Sequence, residues 1–220
     1  MKVMLFGATG MVGQGALREC LLSDEVSAVL TVGRTVTGRQ NTKLREIAQK
    51  DLTNLSSVEE QLAGYDACFF CLGVSSAGMN EQDYTLVTYD LTMSVARTLL
   101  KLNTNMTFIY VSGTGTDSTE KGRSMWARVK GRTENELLHL GFKSAYMFRP
   151  GYIQPMDGIK TKTAVYALLY AVLGPLYPVL KAIAPGYVTT TRQLGRAMIQ
   201  AALHGAPTTH LENRDINALG

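Results

Sequence analysis

Residues 6–17 read FGATGMVGQGAL, and they decide the fold. The apolar run KVMLFG (residues 2–7) leads into them with strand character, and helical spacing follows. Gly7, Gly10 and Gly13 sit at the junction. In such a strand–turn–helix the first glycine permits the sharp turn, the second lets the backbone approach a pyrophosphate, and the third lets helix and strand pack closely. Thr9, Met11 and Val12 fill the loop and first turn between them. Backbone amides there lie at the positive end of the helix dipole, where phosphate oxygens are favoured. Strand, glycines and helix in this order predict a dinucleotide site.

The rest of the chain repeats the alternation. Strand-type runs occur at AVLTVG (28–33), DACFFCLG (66–73), MTFIYVSG (106–113) and SAYMFRP (144–150), separated by longer helical patterns. Leu86, Tyr89, Met93, Ala96 and Leu100 recur at helical steps and predict one buried stripe. A second helix is expected from about Ser124 to Leu140, with Gly141 as its stop signal. Residues 42–49 lean towards a strand, because KDLTN follows as a turn. The expected class is α/β, a doubly wound parallel sheet of Rossmann type in a single domain. Residues 1–150 form its nucleotide-binding core, and residues 151–220 a short helical extension that completes the substrate side.

Composition narrows the function. Of the 220 residues, 45% are hydrophobic and 18% charged, which suits an ordinary globular domain. A net charge of +4 without a basic stripe argues against a nucleic-acid partner. Only VMLF separates Lys2 from the first glycine, too short an apolar stretch for a secretory signal, so a cytoplasmic location is expected. The three cysteines, Cys20, Cys68 and Cys71, are expected to be reduced. Cys68-x-x-Cys71 lies in a buried-strand pattern, and His139, His204 and His210 lack metal-type spacing, so no metal site is expected.

Cofactor preference is read at the end of the second strand. An NAD-selective site places an acid there for the ribose 2′-hydroxyl, whereas this strand ends TVGRT, with Arg34 in that place. A guanidinium suits a 2′-phosphate, so NADP(H) is favoured, with Arg39 as a second cation nearby in sequence.

With these motifs in place the sequence resembles the short-chain dehydrogenase/reductase superfamily. The resemblance is to its atypical branch, which includes NmrA-like, Tat-interacting-protein-like and epimerase/dehydratase-related members. It is carried by GATGMVG, Asp51-Leu52, Cys71-Leu72-Gly73, Ser112, Lys130 and Arg149-Pro150-Gly151-Tyr152 in order. The resemblance implies that Asp51 and Leu52 flank the adenine, that Cys71, Leu72 and Gly73 pass beside the ribose, and that Pro150, Gly151, Tyr152 and Ile153 border the nicotinamide. It further implies that Ser112 holds a substrate carbonyl and that Lys130 bonds the nicotinamide ribose and lowers a neighbouring hydroxyl's pKa.

One position departs from that pattern. Members of the superfamily carry Tyr-x-x-x-Lys, and here the pair is Trp126-x-x-x-Lys130. An indole only donates a hydrogen bond and cannot exchange protons near neutral pH. Ser112, Thr114, Tyr84, Tyr89 and Tyr152 are the hydroxyls that could substitute, and Trp126 could wall or stack on the site. Residues 164–180, AVYALLYAVLGPLYPVL, are uncharged but are shorter than a membrane span and interrupted by Gly174, Pro175 and Pro178. Such a patch needs a cover: a substrate pocket, a second subunit in a homo-oligomer, or a peripheral membrane contact. The expected function is NADP(H)-dependent hydride transfer to or from a carbonyl or hydroxyl of an apolar small molecule. The alternative is a non-catalytic NADP(H) sensor that controls a partner or membrane contact.

Overall fold

Short apolar runs that are buried on both faces become the strands of a parallel sheet. In the computed structural model, which describes residues 1–159 and 177–220, such runs make the inner strands of a sheet of seven, paired in the order β3-β2-β1-β4-β5-β6-β9, all parallel. The seven are β1 (Lys2–Phe6), β2 (Ala28–Gly33), β3 (Leu44–Ala48), β4 (Ala67–Phe70), β5 (Thr107–Val111), β6 (Ser144–Arg149) and β9 (His210–Glu212). Two further strands, β7 (Tyr152–Gln154) and β8 (Val188–Thr190), form a small parallel pair of their own. The order reverses between β1 and β4, and ligands of open α/β sheets bind in the crevice at such a switch point.

Helices cover both faces: α1 (Met11–Leu22), α2 (Glu81–Thr85), α3 (Leu91–Leu102), α4 (Met125–His139), α6 (Thr191–His204) and α7 (Asn213–Leu219), while the short α5 (Tyr177–Ile183) buries no residue. Side-chain alternation along β1 splits the core in two. Val3 and Leu5 join Phe69, Ile109, Phe148, Leu17 and Met198 on the α1/α6 face. Met4 and Phe6 join Phe70, Phe108, Met93 and Leu137 on the α3/α4 face. On that second face Phe70 stacks on Phe6 and Phe108, with ring centroids 5.6 and 5.9 Å apart. Each such aromatic pair adds roughly 0.5–1.5 kcal/mol beyond its buried area. Residues 188–220 return to this same body: β9 extends the sheet beside β6, and α6 lies against α1 with Gly195 facing Glu19.

Residues 44–48 form the strand expected there, and α4 ends before Gly141, whose φ is +104°. The stripe beginning at Leu86 is corrected. Residues Leu86–Asp90 make a π turn between α2 and α3, so the 3.6-residue repeat slips. Leu86 is left 55% exposed, whereas Tyr89, Met93 and Ala96 are buried. Most of the apolar segment 164–180 lies outside the described residues; its last four belong to α5. No helix among the described residues is long and apolar enough to cross a membrane.

Candidate functional site

The turn after β1 is fixed by sterics. Gly7 has φ +83°, and a Cβ there would lie 2.7 Å from the carbonyl group of Cys71. At Gly13 a Cβ would stand 2.1 Å from the Gly7 oxygen, so helix α1 meets the turn at backbone distance. Gln14 Nε2 donates to the Thr9 carbonyl (3.1 Å) and holds the loop closed. Gly10 caps α1 without a side-chain hydrogen bond, and the first turn contains no acid. Its amides therefore remain available to an anion.

Above this turn opens a cavity of about 580 Å³, within the usual range for a cofactor site. Gly7, Thr9, Gly10, Met11 and Val12 form one wall, and Cys71, Leu72, Gly73, Val74 and Ser75 the facing one. Arg34 stands at one end; Val111, Ser112, Gly113, Lys130, Pro150 and Ile153 close the other. A Cβ on Gly73 would meet nothing within 4 Å, so that strip of backbone lies open to a ligand. Two cations and no carboxylate line the cavity among the described residues. Its walls and charge fit a dinucleotide phosphate ester.

Arg34 is placed by the loop that follows it. Glu46, on β3, accepts from the amides of Thr37 (2.7 Å) and Gly38 (3.0 Å) and from the Thr31 hydroxyl (3.1 Å). Burial alone would raise the Glu46 carboxyl, but the Thr37, Gly38 and Thr31 donors hold it below the usual carboxylate range. The loop bearing Arg34 and Arg39 is thus tied to the sheet.

At the opposite end Lys130 donates from Nζ to the backbone carbonyl of Ser112. Burial lowers its amine to about 8, with Glu134, one helical turn on, pulling the other way. The Ser112 hydroxyl turns inward, to Glu134 and the Phe148 carbonyl, and Ser112 is 5% exposed. Glu134 is the residue that sequence reasoning missed. It is fully buried and is gripped by Arg149 through Nε (3.0 Å) and a second guanidinium nitrogen. Arg149 also reaches Glu212 (3.3 Å), and His210 Nε2 lies 3.6 Å from Glu134.

Several residues named from sequence sit elsewhere. The Asp51 carboxylate accepts from the Thr53 hydroxyl (2.6 Å) and amide (2.9 Å) in an exposed turn, bonds that lower its pKa, and Leu52 is in the core. Gly151 is a packing position: a Cβ there would meet the Tyr187 oxygen at 2.5 Å. The Tyr152 hydroxyl donates to Gln154 Oε1 (2.8 Å). Trp126 lies over the loop after β5, its ring 3.5 Å from where a Gly115 Cβ would be, and does not line the cavity. Val74, Ser75, Val111 and Gly113 line it without having been singled out, although each adjoins a stretch that was. Burial pushes the Cys71 thiol up to about 12 and holds the Cys68 thiol well above its ordinary value, so neither is a reactive thiolate. No group of three or more His, Cys, Asp or Glu among the described residues could hold a metal ion.

A model of the NAD dependent epimerase/dehydratase family matches residues 3–122. Among curated proteins, "Protein fmp52, mitochondrial" of Emericella nidulans is 27% identical over 210 residues, covering 92% of this chain and 87% of that protein. "Protein fmp52-2, mitochondrial" of Aspergillus terreus is 26% identical over 200 residues, covering 90% and 85%. Among solved structures, a short chain dehydrogenase/reductase of Saccharomyces cerevisiae superposes with a TM-score of 0.68 at 15% identity, covering 99% of this chain and 98% of that one. The Bordetella bronchiseptica enzyme WbmF, solved with NAD+, gives 0.67 at 15% identity, covering 99% and 76%. These structures share the fold. The relatives' names correct one expectation: they are designated mitochondrial, which contradicts the cytoplasmic location read from the short N-terminal apolar stretch.

Proposed function

We infer the function from one premise: the chain belongs to the NAD dependent epimerase/dehydratase family, of the atypical short-chain dehydrogenase/reductase type, and is an oxidoreductase-like protein built for a nicotinamide cofactor. Its cofactor is NADP(H), and its reaction moves hydride between the nicotinamide and a carbonyl or hydroxyl of an apolar small molecule. What carries the cofactor assignment is Arg34, a cation at the cavity end where an NAD-selective site would place an acid. The apolar substrate is supported by Val74, Val111 and Ile153 at the cavity and by the uncharged run 164–180. Bound there, the cofactor supplies the hydride. The glycine turn and first-turn amides of α1 hold its pyrophosphate, Arg34 its 2′-phosphate, and Lys130 the nicotinamide end.

The test is a pair of calorimetric titrations of the cofactor-free protein and its Arg34→Ala variant with NADPH and NADH. The wild type is expected to prefer NADPH. Losing a charge-assisted bond of about 1.5–3 kcal/mol should weaken NADPH roughly 10- to 150-fold and leave NADH almost unchanged. Equal affinities in the wild type would refute the NADP(H) assignment. A second reading, a sensor that binds NADP(H) without turnover, is favoured by the position of Trp126 outside the cavity; it predicts tight binding with no oxidation of NADPH by any carbonyl substrate.

A further inference from the structure

Reducing a carbonyl places one proton on its oxygen for each hydride on its carbon, so a proton carrier must face the cavity. Among the described residues lining the cavity there is no Tyr, His, Asp or Glu. The tyrosines within reach in sequence are committed elsewhere: Tyr84 is in the core, the Tyr89 ring lies under the Arg132 guanidinium at 4.1 Å, and the Tyr152 hydroxyl donates to Gln154. Ser112 gives its proton inward to Glu134. Thr9 and Ser75 are aliphatic alcohols, the Cys71 thiol is pushed up to about 12, and a guanidinium such as Arg34 does not release a proton in proteins.

One group remains. Lys130 Nζ reaches the Ser112 carbonyl at the end of the cavity opposite Arg34, and no carboxylate pairs with it among the described residues, since Glu134 is taken by Arg149 and Ser112. We propose that Lys130 is a catalytic residue that carries the reaction's proton, its ammonium protonating the substrate's carbonyl oxygen and its neutral amine accepting the hydroxyl proton in the reverse direction. In reduction a C–H and an O–H bond form on the substrate while its C=O π bond, the hydride donor's C–H bond and one N–H bond of Lys130 break. The reduced nicotinamide is the reductant, and water reprotonates the amine. The proposal rests on the oxidoreductase reading above. Burial, opposed by Glu134, brings this amine to about 8, where it both gives and takes a proton readily. Glu134 faces it from α4, with Arg149 of β6 and His210 and Glu212 of β9 behind that carboxylate, and Arg34 and Cys71 stand across the cavity.

The experiment compares wild type, Lys130→Arg and Lys130→Ala for NADPH binding and for reduction of a panel of apolar aldehydes and ketones from pH 6 to 10. Lys130→Arg keeps the charge and reach, so NADPH should still bind, while turnover falls about 10²- to 10⁴-fold, the usual worth of a positioned acid. Wild-type reduction should decline, and oxidation of the product alcohol rise, as pH passes about 8. Methylamine should restore part of the turnover of Lys130→Ala. A ¹³C-methylated lysine signal that is absent from Lys130→Arg should titrate in the same range, independently of turnover. Undiminished turnover in Lys130→Arg, or a Lys130 signal that titrates only at the ordinary lysine value, overturns the proposal and leaves the oxidoreductase reading intact. NADPH binding without reduction of any carbonyl by the wild type overturns both.

Discussion

Replacing Glu134 by glutamine tests whether the buried carboxylate is the counter-charge that holds the far end of the cavity together. Glu134 is fully buried, accepts from Ser112, and pairs with two nitrogens of Arg149, itself 12% exposed. Glutamine preserves the shape but turns an amide NH₂ towards the guanidinium donors. Arg149 then keeps one carboxylate, Glu212, at 3.3 Å and half exposed, and the neutral Ser118 hydroxyl (2.5 Å). Removing one partner of a buried pair costs about 3–5 kcal/mol, because the other charge is left desolvated. For a chain of 220 residues each kcal/mol moves the melting temperature by about 2–4 °C, so a fall of roughly 6–20 °C is expected. Urea denaturation followed by far-UV circular dichroism measures the free energy, and calorimetry the temperature. Adding Arg149→Met should recover most of the loss, since neutral replacement of both partners is often tolerated. A loss under about 1 kcal/mol, the worth of an exposed pair, would refute the interior counter-charge.

Three other outcomes follow from the same geometry. Gly13→Ala drives a Cβ to within 2.1 Å of the Gly7 oxygen and should abolish NADPH binding in a protein that still folds, as read by calorimetry beside circular dichroism. Lys130 has a folded pKa of about 8 against 10.5 unfolded, so the unfolded chain holds the extra proton between those values, and stability should rise with pH across that window. Lys130→Met should remove that rise in denaturation curves taken from pH 7 to 10.5; an unchanged slope would mean the amine is not desolvated. Trp126→Tyr should change turnover less than tenfold, below the 10²- to 10⁴-fold of a positioned acid, because the ring packs on Gly115; a larger gain would show that this side chain reaches the substrate.

The phosphate turn was legible because its constraints are local. Gly7 and Gly13 answer to atoms within a few residues or one strand away, and a glycine pattern records such contacts directly. Arg34 was legible for a similar reason, its place being set by the end of a strand whose pattern is unambiguous. Glu134 was not. On a helix bearing Arg128, Lys130, Arg132 and Glu136 it reads as one more solvated charge, and its burial follows only when β6 brings Arg149 beside it and β9 brings His210 and Glu212. The exposure of Leu86 escaped because a π turn leaves no compositional mark. The inward turn of the Ser112 hydroxyl escaped because it depends on that same buried carboxylate.

The setting of α4 explains why a tryptophan can stand where its relatives in the superfamily use a tyrosine. The loop after β5 folds back over the first turns of this helix: the Asp117 amide donates to the Ala127 carbonyl (3.1 Å), Arg128 donates to the Gly122 carbonyl (2.6 Å), and a Cβ on Gly131 would collide with the Asp117 oxygen. These contacts press the first turn against the loop. A side chain at position 126 then meets Gly115, whose φ of +83° brings bare backbone under the ring, and apolar bulk is what that surface accepts. One turn further along, Lys130 clears the loop and enters the cavity. The packing that excludes position 126 therefore leaves position 130 as the one that faces the cavity, and a hydroxyl introduced at 126 would have to displace the loop before it could reach it.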